Sequence, residues 1–508
     1  MVQTVSIVAL CLFAVLMIAV GIVSARQTKT MDGFLLGGRK IGAWVSAFAY
    51  GTSYFSAVIF VGYAGKHGWD IGFASLWIGI GNAVLGCLLA WLLLAKRTRS
   101  MTHTLNVKTM PEFFEARYQC TGMKIYAAII IFVFLVPYSA AVYKGLGSMF
   151  HAVFPSVSVT VWILIVAVLT AVYLVLGGYV ATAYTDFIQG IIMIFGVLAM
   201  VIAVVRNPAV GGFSAGIEKI KAIDPMLTNV WGGDNWKFLC TNILLTSFGT
   251  WGLPQMVNKY YAIKDEKAIR TATVVSTLFA FVIGCGAYFI GSLSRLVLNN
   301  QLPQGGHDAV IPSMLMQALG GDNLVTNIIL AVILLLLLSA SMSTLASVVL
   351  TSSSAISVDL IPTVKKNYSA KHQMALTRFL CFLFVGLSFW FATMNLAIIV
   401  SIMSFSWGVV SGCFIGPYLW GIYSKKITKA GAWAGMIGGL VTVGGMLLFD
   451  ILKGLPLAGG LAAAFKAASA NAPVYGVVAM AVSLVIVPLV SKVTRKMPEA
   501  YMEQVFKN

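Results

Sequence analysis

The sequence predicts an all-α polytopic membrane protein with about thirteen transmembrane helices. Composition is the first observation behind this. Of 508 residues, 59% are hydrophobic and 10% charged, where soluble domains carry about a quarter charged residues. The second is segmentation. Apolar stretches close to the twenty residues a bilayer requires recur at 3–25, 42–65, 71–95, 124–150, 157–177, 183–206, 237–256, 271–295, 326–357, 375–395, 396–422, 430–450 and 473–491. The third is the placement of cations, which concentrate in alternate loops.

The first span, Val5 to Val23, is long enough to cross a bilayer, and no convincing cleavage site follows it, so it reads as a retained helix and not a signal peptide. The formal net charge of +18 resolves into a topology signal. Twenty-four Lys and Arg residues fall on one side, among them Arg26, Lys29, Lys259, Lys365, Lys366 and Lys507, against eight on the other. The positive-inside rule then places the N-terminus outside and the C-terminus in the cytoplasm, in a plasma or inner membrane, with no nucleic-acid footprint. Lys144 reads as the only lysine within a span. Lys66 and His67 fall in an outer vestibule, and His151 and His307 in loops, without evident partners. The seven cysteines are scattered without CxxC spacing and read as packing residues, not disulfides or metal ligands.

The connections are too short for a soluble catalytic domain, so residues 1–508 form a single transmembrane transporter domain. Asn106–Tyr118 reads as a short surface helix starting near Pro111. No Walker A motif is present, which leaves ion-coupled transport or passive conduction.

Two spans are interrupted. The second carries Gly51 in mid-span and Gly62 further on; the seventh carries Gly249, Gly252 and Pro254. They lie five spans apart, as expected of two inverted repeats, 42–206 and 237–422, each opening on a discontinuous helix that binds ligand near the midplane. The ninth span fills with hydroxyls. Ser343, Ser347, Thr351 and Ser354 share one helical face, with Thr344 beside Ser343. From this helix alone two readings are open: neutral oxygens for a small hard cation such as Na⁺, or hydroxyls bonded back to the preceding turn in a close-packed helix.

At this point a resemblance enters. Phe34–Trp44 (FLLGGRKIGAW), Gly177–Gly190 (GGYVATAYTDFIQG), Met342–Leu345 (MSTL) and Gly416–Tyr423 (GPYLWGIY) together resemble the sodium:solute symporter family, which includes the proline and pantothenate carriers, over nearly the whole chain. The resemblance implies a LeuT-type inverted-repeat core with extra N- and C-terminal helices. It implies a main sodium site made of the carbonyls of Thr52, Phe55 and Ala340 and the hydroxyls of Ser343 and Thr344. A candidate second ion would lie at Asp186, with Ser343 and Ser347, although Ala346 stands where members with that ion usually carry a hydroxyl. The substrate candidates are Tyr54, Ser56, Tyr138, Thr250, Trp251, Gln255 and Lys144.

Tyr54 stands where proline carriers have an aspartate, and Thr246 and Thr250 replace aromatics. The Gly252–Gln255 segment (GLPQ) resembles the proline and pantothenate branch, which favours an amino acid or small carboxylate over a sugar. For Lys144 two roles are open: pairing with a substrate carboxylate or coupling protons, or snorkelling to the outer interface. The function expected is therefore sodium-coupled uptake of a small organic solute by alternating access, with no covalent chemistry, no cofactor beyond Na⁺ as coupling ion, and no obligate protein partner. The alternatives are a proton-coupled carrier using Lys144 or Asp186, and a channel-like or sensor permease.

Overall fold

The computed structural model describes residues 2–25, 31–321, 323–364, 369–394, 396–458 and 460–506. Arg26, Lys29, Lys365, Lys366 and Lys507, used above for topology, lie outside them. Among the described residues there is no β-strand, and ten helices are long and apolar enough to cross a membrane. Each of the thirteen expected spans is mainly helical over its described residues.

In chain order, α1 is Val2–Ala25, α2 Ala43–Tyr54 and α3 Ala64–Ile71. The helical run 76–104 is α4, and α5 is the short helix Met110–Tyr118. The long helices α6 (Thr121–Val153) and α7 (Val159–Val205) follow. Next come α8 (Trp236–Gly252), α9 (Pro254–Ala262), α10 (Glu266–Val297) and α11 (Leu324–Ser354). The chain closes with α12 (Ala370–Thr393), α13 (Ile399–Tyr423), α14 (Lys429–Ala458) and α15 (Ala472–Val493).

Local chemistry accounts for the main boundaries. α5 starts as the sequence suggests. The Thr109 hydroxyl accepts from the Glu112 amide at 3.2 Å, Pro111 sits in the first turn, and the Glu112 carboxylate accepts from the Lys108 amide at 2.7 Å. A cap of this kind contributes about 1 kcal/mol. Arg117 at the other end is buried and donates to the Gly421 and Ser424 carbonyls, each at 2.8 Å, which fastens α5 to the last turn of α13. The α7 run holds the two expected spans 157–177 and 183–206, folded over at Gly178 (φ +53°, ψ −148°). A Cβ there would lie 2.5 Å from the Phe34 ring, so only glycine meets both the backbone angle and the contact.

α11 is the centre of the molecule. It packs against α1, α2, α6, α7 and α12, and every residue from Leu336 to Ala355 is buried. α13 packs against α6, α8, α14 and α15. α10 lies along α2 and α3 with glycine-mediated backbone contact: a Cβ on Gly291 would sit 2.1 Å from the Ala64 carbonyl oxygen. Close approach of this sort replaces the hydrophobic drive that helices lack inside lipid.

Both interrupted spans are broken, but the first break is not at Gly51. α2 continues through Gly51 to Tyr54; the opening is at Phe55 and Ser56, with Phe55 extended (φ −106°, ψ +123°). The second break is at Leu253 (φ −80°, ψ +120°), immediately before Pro254 starts α9. The segment before α2 and the end of α9 are joined by a parallel bridge. The Ile41 amide donates to the Ala262 carbonyl at 3.3 Å, and the Lys264 amide donates to the Ile41 carbonyl at 3.1 Å.

Candidate functional site

The break in α2 is held open by side chains of α11 and of its own turn. The Ala57 amide, which would otherwise continue the helix, donates to Ser341 Oγ at 3.1 Å, and the Val58 amide donates to Ser56 Oγ at 3.2 Å. Directly beside it, neutral oxygens converge. Ser343 Oγ lies 2.9 Å from the Thr52 carbonyl and 3.0 Å from the Ala340 carbonyl. Thr344 Oγ1 lies 3.2 Å from the Thr52 carbonyl, 3.4 Å from that of Ser53 and 3.1 Å from that of Ala340. Thr52, Phe55, Ala340, Ser343 and Thr344 are all buried. Each of the two expected hydroxyls thus lies within hydrogen-bonding distance of both the Thr52 and Ala340 carbonyls, and Phe55 is the extended residue that closes α2. An all-neutral oxygen cluster suits a monovalent hard cation once its water is shed.

On the far side of the same break is an aromatic pocket. Of the substrate candidates, Tyr54, Ser56 and Tyr138 line it, joined by Tyr63, Asn82, Thr246, Tyr288, Met403 and Trp407. The rings close on a space of only about 20 Å³, enough for about one water, so admitting a solute requires the helices to part. Trp407 forms its back wall, edge-on to Tyr138 with ring centroids 5.6 Å apart and stacked on Tyr54 at 6.2 Å. The Tyr54 hydroxyl donates to the Thr246 carbonyl at 2.6 Å, and the Thr246 hydroxyl donates to Asn82 Oδ1 at 2.8 Å. Among the described residues no charged side chain lines the pocket.

Three of the expected substrate residues stand outside this lining. The Thr250 hydroxyl is bonded to the Ser247 carbonyl at 2.8 Å, and Trp251 Nε1 donates to the Leu85 carbonyl at 3.1 Å. Gln255 is buried with neither amide atom bonded among the described residues.

Lys144 is also apart from the pocket. Its Nζ is 3.0 Å from Asp308 Oδ2 and donates to the Ala397 carbonyl at 2.8 Å, at the end of α6 far from the basic loops. Its ammonium is thus already paired, in a partly exposed position. Lys144→Gln is expected to lower the thermal midpoint of the detergent-solubilised protein while leaving the order of solute preference unchanged; a changed order would return Lys144 to the binding site. Most of the other polar residues singled out near this end are likewise partnered. Asp70 takes both Lys66 Nζ at 2.8 Å and His307 Nε2 at 2.9 Å, while His67 is fully buried and His151 contacts the Val157 carbonyl at 2.8 Å.

Lys259 corrects the sequence reading, which counted it as a loop charge. It lies on α9, 1% exposed. Its Nζ is 3.6 Å from Asp186 Oδ2 on α7 and donates to Ser347 Oγ on α11 at 3.1 Å. Ser347 Oγ is in turn 2.8 Å from Ser53 Oγ on α2. Of the candidate second-ion set, Ser343 therefore faces the main oxygen cluster, while Asp186 and Ser347 meet through an ammonium. At the end of α11 and just beyond it, Ser354 and Ser357 bond back to the carbonyls of Thr351 and Ser353, as packing hydroxyls do.

Two interrupted membrane helices, one of which brings neutral oxygens and an aromatic pocket together, define an ion-coupled membrane carrier of the broken-helix type. The model of the sodium:solute symporter family matches residues 34–439, and the chain belongs to that family. Among its relatives, the sodium/proline symporter of Salmonella typhimurium is 27% identical over 465 residues, covering 89% of this chain and 91% of the relative. The sodium/pantothenate symporter of Haemophilus influenzae is 26% identical, covering 85% and 89%. In fold the chain is similar to a Na⁺-coupled sialic acid symporter solved in a substrate-bound outward-open state. That match has a TM-score of 0.75 and 17% identity over 97% of this chain and 98% of the other, and it makes the architecture LeuT-like.

Proposed function

We propose that the protein is a sodium-coupled symporter that imports a small organic solute, an amino acid of the proline kind or a small carboxylate, by alternating access and without covalent chemistry. The observation that carries this is the break itself. Residues 52–56 belong at once to the oxygen cluster and to the aromatic pocket, so a cation seated on one side orders the wall of the other. Coupling needs that kind of shared element, because each ligand must change the free energy of binding the other.

In this reading Na⁺ is held by the carbonyls of Thr52, Phe55 and Ala340 and the hydroxyls of Ser343 and Thr344. The solute lies between Tyr54, Tyr138 and Trp407, with Ser56 and Asn82 addressing its polar end. Aromatic walls suit the ring or the ammonium of a small zwitterion. With no charged side chain among the described residues of the pocket, the solute's carboxylate is left to the hydroxyl and amide groups and to the nearby cation. The proline and pantothenate relatives support a solute of that size. The two breaks open inverted repeats at 42–206 and 237–422, and the basic loops face the cytoplasm, leaving the N-terminus outside.

The test is solute-driven ²²Na⁺ uptake into proteoliposomes at fixed pH. Proline, other amino acids, short monocarboxylates, pantothenate and sugars would first be ranked by Na⁺-dependent thermal shift. Sodium entry that rises with the best-ranked solute is expected. Solute uptake indifferent to Na⁺ but driven by a proton gradient would replace this reading with a proton-coupled carrier.

A further inference from the structure

We propose that the Lys259 ammonium is a built-in cation at the second-ion position, so that this chain binds and carries a single sodium ion. The inference rests on the sodium reading above and adds its stoichiometry.

Asp186 is fully buried on α7 at membrane depth, where a carboxylate must be matched by a positive charge. Two sources of that charge are conceivable, a second Na⁺ or a side chain. The geometry points to the side chain. Lys259 Nζ lies 3.6 Å from Asp186 Oδ2 and 3.1 Å from Ser347 Oγ, the two groups that a second ion would need as ligands. It also sits 5.2 Å from the centroid of the Tyr179 ring, whose face attracts an ammonium. Ser343 is turned to the main oxygen cluster, and Ala346 contributes no oxygen. A second Na⁺ would have to share one carboxylate with an ammonium a few ångströms away, in surroundings that screen little of the repulsion.

The tethered cation also touches the main site. Ser347 bonds Ser53, whose carbonyl is 3.4 Å from Thr344 Oγ1. The ammonium therefore supports α2 and α11 from behind, at the place where a second ion would brace them, but it is not released when the carrier opens. Its charge returns with the protein in each cycle, and only the ion at the main site is delivered.

Removing the ammonium should expose the difference. Among the described residues neither oxygen of Asp186 takes a hydrogen bond, so without Lys259 the carboxylate has every acceptor free for a mobile cation. The measurement is the number of ²²Na⁺ ions bound per full-length chain in nanodiscs, with no solute present. Wild type is expected to bind one. Lys259→Gln is expected to bind two, Lys259→Gln with Asp186→Asn to return to one, and Lys259→Arg to stay at one.

Two ions on wild type, or one ion on a folded Lys259→Gln, would overturn the proposal and leave the sodium reading standing. No bound ion on wild type would overturn both. If Lys259→Gln does not fold, the counts on wild type and Lys259→Arg decide it: one ion on each supports a tethered cation, and two on either rejects it.

Discussion

Replacing Ser343 and Thr344 together by alanine is expected to raise the Na⁺ concentration for half-maximal uptake by at least ~100-fold. Each hydroxyl sits within 3.2 Å of the Thr52 carbonyl and 3.1 Å of the Ala340 carbonyl. An ion at the centre of this cluster loses two of its oxygens in the double variant. A hydrogen-bond-strength contact to a charge contributes about 1.5–3 kcal/mol, and every ~1.4 kcal/mol is tenfold in affinity. Ser354→Ala, on the same helical face, is the control. Its hydroxyl bonds back to Thr351 at 2.9 Å, and its loss should leave the sodium requirement within about twofold, as expected of a back-bonded helix hydroxyl. The check is uptake of the best-ranked solute as a function of Na⁺; half-saturation unchanged in the double variant refutes the site.

Asp186→Ala should be among the most destabilising single substitutions in the chain. It leaves the Lys259 ammonium, 1% exposed, with a hydroxyl and a ring face but no counter-charge. Breaking a buried pair by deleting one partner costs about 3–5 kcal/mol, much more than removing both. Asp186→Ala is therefore expected to unfold well below wild type, and Asp186→Ala with Lys259→Met to recover most of the loss. Thermal unfolding of wild type, the two single variants Asp186→Ala and Lys259→Met, and the double variant in nanodiscs gives the coupling directly. Additive effects would show that the 3.6 Å contact does not bind α7 to α9.

The spans were legible because hydropathy over twenty residues is a property of the sequence alone, and the hydroxyl face of α11 because helical spacing is too. The break within Gly51–Phe55 was legible too, but not the residue at which the helix opens. Gly51 suggested it, but Gly51 serves packing: a Cβ there would sit 2.4 Å from the Phe279 ring. The helix opens four residues later, where Ser341, nearly three hundred residues away, relieves the Ala57 amide. Lys259 was missed for a similar reason. It follows a proline and precedes a basic stretch, so it reads as the start of a loop, and only the fold brings Asp186 to it. Lys144 was singled out correctly as unusual, but its partner Asp308 lies in a connection with no periodic signal. In the pocket, Tyr54, Ser56 and Tyr138 could be placed by motif. Trp407 and Tyr288 could not, since each comes from a helix whose own pattern is plainly apolar.

The small bridge between Ile41 and Ile263 has a mechanical consequence. It ties the root of α2 to the tip of α9, and Arg99 clasps the joint by donating to the Ile263 carbonyl at 3.1 Å and the Lys264 carbonyl at 2.5 Å. One tethered half-helix bears Thr52 and the other bears Lys259. A swing of either drags its counterpart along, as two levers pinned to one axle. Thr52 and Lys259 then move as parts of one body at that end of the protein.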